Sequence, residues 1–193
     1  MNRNRTALLA GLLICIGSTL AVAQPAPIPT YWSGTFTPPP GAKAPRASVL
    51  EVKIFSLTTD KEVATLAAAL HEGGPLGLRE AMGRFENRGW VKINGLGGAT
   101  VAVLRVLDLP DGGRRLRVFC ALPIRVFDKP TAAPDTQEYP FSFIELDVDK
   151  SGRGEGKLIS AAKFEVTDQG LELGTAGAPI VKVLDVIANN NAR

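Results

Sequence analysis

The sequence predicts an α+β fold: an antiparallel β-sheet, sandwich or partly closed barrel of about seven or eight strands carrying one helical hairpin. Three observations carry this expectation. Two helical patterns stand together after the first strong strand instead of alternating with strands, which argues against a parallel doubly wound sheet. From Trp90 onward, apolar runs are interrupted at short intervals by Gly, Pro and Asp. One of those interruptions, Pro110-Asp111-Gly112-Gly113, contains the Asp-Gly pair that supplies the left-handed positions of a hairpin turn.

The elements follow in order. Residues 1–23 read as a secretory signal peptide: Arg3 and Arg5 make a positive start, residues 7–16 are apolar, and Ala21-Val22-Ala23 is a small-x-small cleavage site. Its apolar run is shorter than the roughly 20 residues that span a bilayer, and no later run reaches that length. Ile14 before Cys15 argues against lipoprotein processing, which needs a small residue there. Removing 23 of the 193 residues leaves 170, enough for one domain with a proper core. Residues 24–47 read as a proline-rich extended arm with a short strand at 31–36, anchored by Tyr31 and Trp32. Residues 48–193 read as a single β-rich domain, opening with a strand at 48–56.

Thr59-Asp60-Lys61-Glu62 matches a capping box, in which the Thr59 hydroxyl and the Glu62 carboxylate each accept an orphan amide proton. Val63, Leu66, Ala67 and Leu70 follow as one apolar stripe, and Gly73-Gly74 ends the helix. A second helix over residues 75–87 starts on Pro75 and buries Leu78, Ala81, Met82 and Phe85, completing the hairpin. Strands are then expected at 90–94, 100–109, 114–124, 141–149, 157–167, 171–173 and 180–186, with a loop at 126–138. The 100–109 and 114–124 strands are apolar on both faces, which favours a central place for both. A symmetric four-residue loop would set Asp108 opposite Arg115.

Charge excludes one class of function. Without Arg3 and Arg5 the balance is 20 basic against 19 acidic residues, so no nucleic-acid partner is indicated. The distribution is uneven: residues 79–129 hold ten basic and five acidic residues, residues 130–193 six and ten. The two stretches are expected to meet as cross-strand pairs or to form solvated faces, with a basic patch for an anionic ligand as the sharper alternative. With Cys15 in the leader, Cys120 is the one cysteine left, and its strand-like surroundings make it a small buried hydrophobe, not a nucleophile.

Of the motifs, the second hairpin turn stands out. Asp147-Val148-Asp149-Lys150-Ser151-Gly152 begins like a calcium loop, but Leu158 occupies the position that needs a bidentate carboxylate, so it is not an EF-hand. A looser calcium site of Asp147, Asp149, Ser151 and Glu155 stands against a plain hairpin turn, with Glu145, Asp147 and Asp149 on one exposed strand face. Ser160-Ala161-Ala162-Lys163 has serine–lysine spacing, but three residues on a strand put the two groups on opposite faces. Gly95-Leu96-Gly97-Gly98 runs into a strand, not the helix a dinucleotide loop needs. His71 is the sole histidine, which excludes a multi-histidine zinc site, and its place at a helix end suits a dipole role. No catalytic residue and no other cofactor is expected.

The segments Thr58-Thr59-Asp60 with Glu62, Pro110-Asp111-Gly112-Gly113-Arg114-Arg115, Tyr139-Pro140-Phe141, Ile144-Glu145-Leu146, Gly154-Glu155-Gly156 and Ala161-Ala162-Lys163 give the chain a resemblance to a family of uncharacterised exported bacterial proteins. The resemblance implies export and carries no activity or ligand. The expected role is therefore an exported, periplasmic or secreted, non-enzymatic binding or scaffold domain of the bacterial envelope. Its partner would be an envelope protein or a small ligand. A carrier of a small apolar ligand or lipid and a carboxylate-based hydrolase are the alternatives.

Overall fold

The computed structural model describes residues 27–37, 48–85, 87–94, 97–124, 140–167, 170–176 and 179–190. The expected leader, most of the expected proline-rich arm and the expected 126–138 loop lie outside them. Among the described residues ten antiparallel strands form one sheet curled into a nearly closed barrel. They are β1 (Tyr31–Phe36), β2 (Ser48–Ile54), β3 (Gly89–Ile93), β4 (Gly97–Val101), β5 (Val103–Asp108), β6 (Arg114–Cys120), β7 (Phe141–Val148), β8 (Arg153–Thr167), β9 (Gly170–Ala176) and β10 (Val181–Asn189). The spatial order is β4-β3-β2-β1-β10-β8-β7-β6-β5, with β9 on β8. The fold class is as predicted, with more strands than the expected seven or eight.

Two strand expectations are corrected. Residues 100–109 are not one strand: the chain bends at Ala102, so that β4 pairs with β3 and β5 pairs with β6. The two ends of the sheet are thereby consecutive segments of chain, and β5 is a terminal strand, not a central one. Residues 55–58 cover the gap, Thr58 N donating to Leu104 O at 2.9 Å and Leu104 N to the Thr58 hydroxyl at 3.0 Å. The register of the β5–β6 hairpin differs by one residue from the expected one, with Asp108 opposite Arg114 and Leu107 opposite Arg115. Gly112 at φ 80° adds a residue after the Leu109–Gly112 turn, the bulged hairpin geometry that an odd loop length requires.

The strand within the proline-rich arm belongs to the barrel wall. β1 sits between β2 and β10, pairing Tyr31 with both Lys53 and Asn189, and Trp32 is fully buried. The barrel interior is filled: Trp32, Leu50, Val91, Leu116, Ile144 and Val183 belong to one continuous buried cluster. Alternation along each strand sends these residues inward and the charged ones outward.

A second apolar cluster lies between the barrel's outer face and the helix. Phe119, Phe141, Phe143 and Phe164 pack there with ring centroids 4.9–6.3 Å apart. Leu66, Leu78 and Met82 of α1 (Asp60–Gly83) cover them. The predicted pair of helices is a single helical element interrupted at Gly74, whose φ of 60° and ψ of −155° break the spiral. A straight helix would hold Ala69 and Gly77 about 12 Å apart along its axis. Here a Cβ on Gly77 would stand 2.7 Å from Ala69 O, so the second segment turns back against the first. Among the described residues no helix is long and apolar enough to cross a membrane.

Candidate functional site

Antiparallel pairing assembles a row of charge across five strands. Arg105 of β5 lies opposite Arg117 of β6, Arg117 opposite Glu145 of β7, Glu145 opposite Lys157 of β8, and Lys157 opposite Lys182 of β10. Glu145 is the centre of it. Its carboxylate accepts Arg117 Nε at 2.8 Å, pairs with Lys157 Nζ at 2.9 Å, and has Arg115 Nε at 3.7 Å. Burial opposes ionisation of Glu145, but hydrogen bonds from Lys157 and Arg117 outweigh it and hold the carboxyl below its usual range. In the next row Arg115 clamps Asp147 with two bonds of 2.7 and 2.6 Å, and that bond holds the Arg115 proton more tightly still. Arg117 also reaches Glu172 of β9 through Nη1, at 2.7 and 2.8 Å.

The uneven charge of the sequence thus resolves mainly into cross-strand pairs. The expectation of an exposed carboxylate face is corrected in part. Glu145 and Asp147 do share a face, but Glu145 is only 9% exposed because cations on β6 and β8 close over it.

At one end of this row, between the first segment of α1 and strands β5, β6 and β9, the surface opens into a cleft of about 370 Å³. Val63, Ala64, Val103, Leu107, Phe119 and Leu171 give it an apolar lining; Asp60, Arg105, Arg117 and Glu172 add charge. Local sequence positions each wall. The capping box forms as predicted: Thr59 N donates to Glu62 Oε2 at 2.8 Å and Glu62 N to the Thr59 hydroxyl at 3.3 Å. The bond from Thr59 N is the main reason the Glu62 carboxyl sits below its usual range, and Arg88 pairs with it from the strand side. Asp60 follows the cap and accepts Arg105 Nη1 at 2.6 Å. Arg105 Nη1 also donates to Thr58 O at 3.4 Å, which ties the start of the helix to β5.

The residues of the calcium expectation are brought near one another but are separately engaged. Asp147 lies opposite Glu155 in the β7–β8 pairing. Asp147 is held by Arg115, while Glu155 pairs with Lys182 at 2.7 Å. Asp149 Oδ1 accepts the Ser151 hydroxyl, Ser151 N and Arg153 N at 2.6, 2.7 and 3.2 Å, and these bonds lower its pKa. Among the described residues no group of three or more His, Cys, Asp or Glu side chains is placed to hold a metal. Cys120 is buried, and burial pushes its thiol up to about 12. On β8, Ser160 is buried and Lys163 exposed. His71 is exposed on α1.

Sequence reasoning did not single out the cleft. Its charged residues come from positions 60, 105, 117 and 172, with no motif joining them; the surplus of arginine in the middle of the chain was the one signal available. Compared with protein-family models, with curated proteins and with solved structures, the chain gives no match.

Proposed function

We propose that this chain is an exported, non-enzymatic binding domain that seats a small ligand in the cleft between α1 and strands β5, β6 and β9. The observation that carries this is the cleft itself: about 370 Å³, apolar on one side and furnished with a few fixed charged groups, as small-ligand sites generally are. Export rests on the leader-like residues 1–23.

The filled barrel interior moves the carrier alternative from the inside of the barrel to this sheet–helix interface. Binding is favoured over carboxylate hydrolysis by the state of the acids. Glycosidase-type chemistry needs one carboxyl with a raised pKa. Here the carboxyl at the centre of the charge row, Glu145, is shifted downward.

The test is a native mass spectrum of the protein recovered from an exported fraction without chelator. The expected result is extra mass that is lost when Ala64→Trp fills the cleft. A folded parent with a clean mass, together with no response of cleft residues to a fragment library, would remove the proposal.

A further inference from the structure

We infer that the ligand is a small amphipathic carboxylate, with its head shared by Arg105 and Arg117 and its apolar body laid on Val103, Phe119 and Leu171. This rests on the cleft being the ligand seat. Arg105 and Arg117 are direct cross-strand partners, so their Cβ atoms stand about 5 Å apart on one face. Like charges in that position repel, and the protein offsets them with Asp60, Glu145 and Glu172.

The protein supplies anions unequally. Arg117 is fixed from two sides, by Glu145 on Nε and Glu172 on Nη1. Arg105 has one carboxylate, Asp60, whose side chain is 91% exposed. An ion pair that open to water is worth little and is readily exchanged for another. Arg105 uses Nη1 alone, and Arg117 uses Nε and Nη1, so Arg105 Nε and Nη2 and Arg117 Nη2 make no hydrogen bond among the described residues.

Two neighbouring guanidinium groups with unused donors match a carboxylate, whose paired oxygens accept from planar forks. A cationic head would lie against two arginines whose donors it cannot use, with the cleft's carboxylates Asp60 and Glu172 already paired to them. A purely apolar molecule would leave their donors unanswered. The apolar residues beside them account for the rest of the ligand, since a fully polar anion would gain nothing from Phe119 and Leu171.

The test uses three probes of one shape: 4-phenylbutyrate, 4-phenylbutanol and 4-phenylbutylamine, titrated into the folded protein and followed by amide chemical shifts. The butyrate is expected to bind most tightly and to move the resonances of residues 103–107, 117–119 and 170–172. Arg105→Ala is expected to weaken it about tenfold, the loss of a charge-assisted contact, and to bring it level with the alcohol. Arg105 is the variant of choice because Arg117 also supports Glu145. Arg105→Lys, which keeps charge but loses the fork, should recover part of the affinity. If the alcohol or amine binds the same residues as tightly as the butyrate, the carboxylate inference fails and the cleft stands. If none of the three moves those resonances, both fail.

Discussion

Replacing Glu145 by Gln tests the charge row directly. The substitution keeps size and removes the one negative group on which Arg117 and Lys157 converge. Glu145 has a side chain only 12% exposed, and it receives bonds of 2.8 Å and 2.9 Å. Each hydrogen bond to a charged group contributes about 1.5–3 kcal/mol. Not all of that is lost. Lys157, with 37% of its side chain exposed, can turn to water, and Arg117 keeps Glu172. The net cost is therefore about 2 kcal/mol at pH 7, or about 4–8 °C in Tm for a domain of this size.

The pH dependence fixes the cause. Glu145 ionises more readily folded than unfolded, so its contribution is complete above the ordinary value of 4.5 and fades as pH falls through its lowered folded value. Urea denaturation of parent and E145Q should therefore diverge at neutral pH and converge in acid. A double-mutant cycle with Arg117→Gln should return a coupling of about 1 kcal/mol. A variant as stable as the parent at pH 7, or a difference that persists unchanged below the carboxylate range, would refute the reasoning.

Three further outcomes are expected. Thr59→Ala removes the hydroxyl half of the capping box and should cost about 1 kcal/mol in urea denaturation, with α1 fraying first by hydrogen exchange. Cys120, with its thiol held at about 12 by burial, should react with a thiol reagent at pH 8 only as fast as the protein unfolds; rapid labelling of the native chain would contradict its place in the core. Millimolar calcium should leave the melting temperature unchanged, because Asp149 and Asp147 are occupied by protein donors. A calcium-dependent rise abolished by Asp149→Asn would instead establish binding at the turn.

What the sequence made legible was what nearest neighbours decide. Thr59 and Glu62 lie three residues apart, and their reciprocal bonds need nothing beyond one helical turn. Gly74 marked the helix break for the same reason. The hairpin register slipped by one because Gly112 in a left-handed conformation adds a residue that pattern alone does not count. Ala102 was hidden within an unbroken apolar run, since the change of partner there is set by β3 and β6. Burial of Glu145 depends on strands from three stretches of chain meeting, so its period-two position looked exposed. The cleft is less local still, and only the excess of basic residues in the middle of the chain hinted at it.

The pairing of β1 with β10 has a consequence for how this chain comes into being. Tyr31 and Asn189 stand opposite each other in the β1–β10 pairing although almost the whole described chain lies between them. β10 is also the strand that joins β1 to β8, so without it the wall is split into two open sheets with bare edges. A chain synthesised from its N-terminus cannot complete this wall until β10 arrives. Pairings of such long sequence separation are slow to form, because the entropy of closing the loop is spent before the contacts are gained. The architecture thus leaves the wall open until β10 has emerged.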